Sequence, residues 1–197
     1  MKRRAFLALG SAAVLTGCGA ESIVASEEDV TRAIYRHPGP KSLTLITVIN
    51  NRSGAGGHTG LLINGSQRVV WDPAGTWWSP NSPERNDLHY GMTPRLVDVY
   101  IDYHTRETYH TITHEKIVSA EVAEEAIRLC ATNGPVPKAA CSLSTSKILG
   151  QLPGFESIKT SYYPVRTMQA FVALGGTIER KYFDDDADDN SAKLGAA

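Results

Sequence analysis

Two residues in this chain have the type and setting that thiol chemistry requires. His58 heads the run HTGLLI (58–63), directly after the glycine-rich NRSGAGG (51–57) and ahead of an Asn64, Gly65 turn. Cys141 opens CSLSTSKIL (141–149), a helix-like run that follows a break made by Asn133, Gly134, Pro135 and Pro137. A cysteine in the first turn of a helix has backbone N–H groups and the positive end of the helix dipole beside its sulfur, which favours the thiolate. An imidazole within reach completes the pair, because it takes the thiol proton and returns it to a leaving group. A lone histidine would mean little; the pairing with Cys141 is what points to chemistry.

A third member would hold the imidazole in place. RVVWD (68–72) reads as the strand that returns beside HTGLLI, and its register decides which residue faces His58. A turn over 64–66 sets Asp72 opposite His58, where its carboxylate can accept the second ring N–H. A two-residue Asn-Gly turn sets Trp71 there instead, and Asp72 then only starts the turn that continues through Pro73 and Gly75. The spacing leaves both registers open, and the chemistry favours Asp72.

The elements around these residues define an α+β fold, with a small antiparallel sheet packed against helices. LTLITVIN (43–50) is an unbroken β-rich run. LVDVYIDYH (96–104) alternates Val97, Val99 and Ile101 with Asp98, Tyr100 and Asp102, which predicts a half-solvated strand, with TYHTITHEKIV (108–118) as its hairpin partner. Helices are expected over 119–131, after the N-cap Ser119, over the Cys141 segment, and over VRTMQAFVAL before Gly175 and Gly176. The glycine loop lacks the lysine and spacing of a phosphate-binding loop, so it reads as backbone passing close to a neighbour. In the irregular 76–95 stretch, Trp77 and Trp78 either line a substrate pocket or cover one end of the sheet. His110 and His114 share a strand face, but about 13 Å of strand rise separates them, so no metal site is expected.

The N-terminus addresses compartment. Lys2, Arg3 and Arg4 precede an apolar run from Ala5 to Leu15, too short to span a membrane, which ends in LTGC at Cys18. LTGC resembles a bacterial lipobox, in which the cysteine receives a lipid anchor, and RRAFLA around Arg3 and Arg4 is a partial match to a twin-arginine export signal. The resemblance implies an envelope lipoprotein facing the periplasm, attached to a membrane through Cys18. Gly19, where Asp would retain the protein at the inner membrane, points to the outer one. Residues 1–18 are then a signal peptide, 19–42 a tether, 43–180 the folded domain and 181–197 an acidic tail too poor in apolar residues to fold. The remaining length suits one domain with one site. A net charge of −1, from 20 basic and 21 acidic residues, supplies no field for nucleic acid. Cys130 falls on the apolar stripe of the 119–131 helix and reads as a buried hydrophobe, with a Cys130–Cys141 disulfide as the alternative.

HTGLLI, a polar residue on the next strand, and a cysteine opening a helix about 80 residues later together resemble the circularly permuted branch of the papain-like NlpC superfamily, over residues 43–175. This chain departs from the family in having Ala139 and Ala140 before the cysteine, and Asp72 where many relatives use His or Glu. The resemblance implies a papain-like domain in which Cys141 is the nucleophile, His58 the general base and Asp72 its orienting acceptor, with no cofactor. For an envelope protein it implies an amide of a peptidoglycan peptide, or an ester or amide of a lipid, as substrate. The alternative, from another class, is a lipid-anchored binding or structural module without turnover, in which Cys141 is buried or tied to Cys130.

Overall fold

A computed structural model describes residues 22–195; Arg3, Arg4 and Cys18, and the export and lipidation expectations they carry, lie outside the described residues. Among the described residues the fold is α+β: a seven-stranded antiparallel sheet and five α-helices. In chain order these are α1 (Glu27–Ala33), β1 (Ser42–Asn50), β2 (Gly56–Asn64), β3 (Arg68–Trp71), β4 (Glu84–Arg85), β5 (Leu88–Tyr90), α2 (Pro94–His104), β6 (Tyr109–Ile117), α3 (Ala120–Asn133), α4 (Cys141–Leu149), α5 (Pro164–Val172) and β7 (Thr177–Tyr182). The strand order is β4-β5-β3-β2-β1-β6-β7. None of the helices among the described residues is long and apolar enough to cross a membrane.

β1 is an interior strand, and its side chains are buried on both faces up to Ile49, which is why residues 43–49 are apolar or Thr throughout rather than alternating. Leu43 and Leu45, with Leu61, Ile63 and Trp71 of the neighbouring strands, pack under α3, α4 and α5. Ile46, Leu62 and Val70 face the other way, onto α2. The sheet is therefore the middle of three layers.

The largest correction to the sequence reading is α2, expected as a strand over 96–104. Thr93 caps it, its hydroxyl accepting from the Leu96 N–H, and Pro94 supplies a first residue with φ already set for a helix. Leu96, Val97, Tyr100, Ile101, Tyr103 and His104 are its buried residues, a 3.6-residue stripe that the β-branched alternation masks. β6 forms as expected, but its partners are β1 and β7.

Among the described residues, the segments before 43 and after 180 are also more structured than expected. The tether region holds α1, capped by Ser26, with Val30 in the core. Beyond Tyr182, the Asn190 side chain donates to the Tyr103 carbonyl, Lys193 pairs with Asp102 at 2.8 Å, and Leu194 packs against the α2 cluster. Polar bonds together with Leu194 dock this acidic segment, and its composition alone does not reveal them.

Candidate active site

His58 sits at a break in the β1–β2 ladder. Val48 pairs with His58 but Ile49 pairs with Gly56, so Gly57 is an extra residue, a β-bulge beside the histidine. A bulge twists its strand and re-aims the next side chain. The glycines here are demanded by neighbours: a Cβ on Gly56 would lie 2.5 Å from the Pro164 ring, and one on Gly57 2.8 Å from the Tyr109 ring. The glycine loop is thus a surface against which α5 and β6 close.

Asp72 follows β3 directly. Neither expected register holds, since Leu61 pairs with Trp71 and the turn spans Gly65 to Gln67. The observed register differs by two residues from the one that opposes His58 to Asp72, and a shift of two keeps every side chain on its face. Asp72 is therefore a diagonal neighbour of His58, and its Oδ1 stands 2.6 Å from His58 Nε2. The position between them is Gly60, where a Cβ would lie 2.5 Å from the Tyr100 hydroxyl. That hydroxyl donates to the same Asp72 oxygen, also at 2.6 Å. On the other side, Gly75 leaves room for the carboxylate, for a Cβ there would fall 1.8 Å from Asp72 Oδ2.

Tyr100 and His104, one turn apart on α2, are site residues that the strand reading conceals. His104 donates from Nδ1 to the Tyr100 carbonyl at 2.8 Å, and its ring lies against that of His58, centroids 5.2 Å apart and planes 7° from parallel. A strand also sets Tyr100 and His104 on one face, but the solvated one with Asp98 and Asp102; read as helical, they join the buried stripe of Leu96, Val97 and Ile101. His58, Asp72 and His104 present three ligand atoms within 4.8 Å of one another. A metal ion lies in the plane of each imidazole that binds it, however, and two rings stacked in parallel cannot both meet that requirement.

Cys141 is the first residue of α4. Ala140, its N-cap, makes no side-chain bond to the helix, and Ala139 adopts a left-handed φ of 65° that turns the chain into it. The first-turn N–H groups beside the sulfur thus have no side-chain cap. α4 is anchored through Ser142, which bonds Thr167 of α5 at 2.8 Å, and Ser146, which accepts from the Ser161 N–H at 2.9 Å. Ahead of it, the Asp87 carboxylate accepts from the Val136 N–H at 2.7 Å, while the Asp87 carbonyl accepts from the Asp72 N–H at 2.8 Å. Asp87, with φ 67°, ties the loop before the cysteine to the loop that holds Asp72.

The electrostatics follow from this packing. Burial alone would lower the His58 pKa, but the Asp72 carboxylate, by charge and hydrogen bond, and then Cys141 raise it to about 10. Asp72 is held far below the usual carboxylate range: its burial acts upward and is outweighed by His58, with His104 and His89 adding to the effect. Burial pushes the Cys141 thiol up, yet its hydrogen bond to His58, the His58 charge and the backbone amides of Thr59 and Ser142 bring it below its ordinary value. With Nε2 engaged by Asp72, the ring nitrogen left for Cys141 is Nδ1. A neutral His104, its pKa lowered to about 4 by burial against the pull of Asp72, faces this charged pair.

Cys130 and Cys141 are both free thiols, so the alternative disulfide is not formed. Cys130 is buried in the core, where loss of solvent pushes its pKa well up. Trp77 is not a pocket residue; 2% exposed, it packs edge-on against Tyr100 and His89 under α2. Trp78 is half exposed and lies against the backbone at Gly195. His110 bonds Asn51 and His114 bonds Glu179, each apart from the other. No protein-family model, curated protein or solved structure gives a significant match to the chain.

Proposed function

We propose that the chain is a thiol acyl hydrolase or acyltransferase of the circularly permuted papain-like NlpC type, carried on an envelope lipoprotein. The observation that supports this most is the 2.6 Å bond of His58 to the buried Asp72, together with Cys141 at a helix N-terminus, its thiol held below its ordinary value by His58. In this reading the Cys141 thiolate attacks an acyl carbon. The carbonyl π electrons move to oxygen, and the oxyanion is stabilised by free N–H groups at the start of α4. Collapse of this intermediate expels the amine or alcohol, which takes its proton from His58 Nδ1, and leaves a thioester on Cys141. Neutral His58 then takes a proton from water, whose oxygen attacks the thioester and releases the acid, or from an acceptor nucleophile that carries the acyl group away. Asp72 keeps Nε2–H oriented and stabilises the imidazolium without itself accepting a proton.

The substrate we propose is an amide of a peptidoglycan stem peptide or an ester or amide of a lipid. Lipidation at Cys18, after export directed by Arg3 and Arg4, would hold the domain at a membrane facing the periplasm, with the outer membrane favoured. The test is direct: incubate the chain with cell-wall peptides and with acyl lipids, quench with acid, and search for an acyl adduct on Cys141 by mass spectrometry. The adduct should appear with one of these classes and disappear in Cys141→Ser.

Cys141 is only 8% exposed, which favours a second reading, a lipid-anchored binding or structural module without turnover. The two readings part on thiol reactivity. The hydrolase requires fast alkylation of Cys141, and the module an inert thiol.

A further inference from the structure

On the α2 side of the sheet lies a cavity of about 240 Å³ that the thiol chemistry does not use. Ile46, Leu62, Val97 and Ile101 form its apolar wall, and Thr44 and Thr113 add hydroxyls. Leu62 is four residues along β2 from His58, so the cavity is separate from the reacting thiol by about 13 Å of strand. Arg68 enters it from the start of β3. Its Nε is buried without an acceptor, and Nη1 has only His37 Nδ1, at a long 3.4 Å. Among the described residues, no carboxylate comes within ion-pair distance of Arg68. Of the two acids on the wall, Glu115 is engaged by Arg180 at 3.3 Å, and Asp98 makes no ion pair.

Glu115 and Asp98 act on the half-buried Arg68 guanidinium only at a distance, its Nε has no acceptor, and its planar fork matches a carboxylate. We propose that the cavity is a binding site for a small carboxylate with an apolar body, its two oxygens on Arg68 and its hydrocarbon against Ile46, Leu62, Val97 and Ile101. A dry protein cavity of about 150 Å³ holds benzene, so this one suits a ligand the size of hexanoate or benzoate. The bound carboxylate supplies the acceptor that Arg68 Nε lacks, and Thr44 offers it a hydroxyl. The site stands whether or not Cys141 turns over.

The experiment is calorimetric titration of the full chain, carrying Cys141→Ser to remove thiol chemistry, with hexanoate, benzoate, hexan-1-ol and inorganic phosphate. The carboxylates should bind, and the alcohol and phosphate at least roughly tenfold more weakly, because each lacks one half of the match. Arg68→Met should abolish carboxylate binding, and Val97→Phe, which fills the cavity and leaves the charge, should do the same in a protein whose circular dichroism is unchanged. Equal binding of hexanoate and hexan-1-ol, equal binding of phosphate, retention in the folded Val97→Phe protein, or no binding at all would each overturn the proposal.

Discussion

His104 lies flat against His58, the two rings 7° from parallel, while a single Asp72 oxygen accepts from His58 and from Tyr100. One imidazole is charged and the other neutral, and the difference has a geometric origin. His58 has the short bond to Asp72 at 2.6 Å, whereas His104 Nε2 stands 4.0 Å from the same oxygen and its Nδ1–H is committed to a backbone carbonyl. The stack leaves His58 little freedom to rotate away from Cys141. Residues from α2, β2, β3 and α4 meet here, so the site depends on both faces of the sheet.

Alkylation by iodoacetamide tests the thiol pair. Cys141, lowered by His58, should react well below pH 8, and Cys130, buried and raised, should not. His58→Ala removes both the charge and the hydrogen bond, so the Cys141 rate at pH 6 should fall at least about tenfold and its profile move to higher pH. An unchanged rate would dissociate the two residues.

Tyr100→Phe deletes one donor to a buried carboxylate and little else. The expected cost is about 1–3 kcal/mol of stability by denaturant titration, with slower Cys141 alkylation because Asp72 loses a fixed orientation. Asp72→Asn should slow alkylation more, since the His58 charge is no longer supported. If Tyr100→Phe matched the parent in both measurements, the hydroxyl would have no role in the site.

Stability against pH reports on the ion pair. His58 has a folded pKa raised to about 10, so its contribution is complete below the unfolded value near 6.5 and declines as pH rises towards 10. Cys141 has a lowered folded pKa, so its contribution grows as pH rises towards the unfolded thiol value near 8.5. Up to about 8.5 the two act in opposite directions: folded His58 keeps a proton that the unfolded residue has lost, while folded Cys141 ionises ahead of the unfolded thiol. The parent should therefore lose less stability between about pH 6.5 and 8.5 than Cys141→Ser, in which the decline from His58 has nothing to offset it. Urea midpoints from pH 6 to 10, taken as the difference between the two proteins, would show whether the curves part in that window.

Gly75→Ala tests the support of Asp72 without changing a charged group. The new Cβ would fall 1.8 Å from Oδ2, so the carboxylate must move or the loop must open. A loss of about 1–3 kcal/mol, with alkylation slowed as in Asp72→Asn, is expected. Full reactivity in Gly75→Ala would mean that the loop yields without moving Asp72.

The sequence by itself determined the α+β class, the strands of β1, β2, β3 and β6 and the helices α3, α4 and α5; it favoured Asp72 over Trp71 beside His58 on chemistry alone and left the register open. The elements are set by local physics: caps, breakers, runs of β-branched residues and the two-residue period of a strand. The placement of Cys130 on a buried helical stripe and of Cys141 at a helix start was legible for the same reason; that both thiols are free was not. What only the tertiary structure decided was what joins them. Residues 94–104 satisfy a strand period and a helix period alike, and the capped Thr93-Pro94 start together with burial against Ile46, Leu62 and Val70 selected the helix that delivers Tyr100 and His104. Trp77 became core for the same reason, and the acidic end of the chain docked through polar bonds that composition does not reveal. The turn that closes β2 on β3, the bulge at Gly57 and the bond from Asp87 to the cysteine loop arise from contacts between segments far apart in sequence. Periodicity carries no record of such contacts.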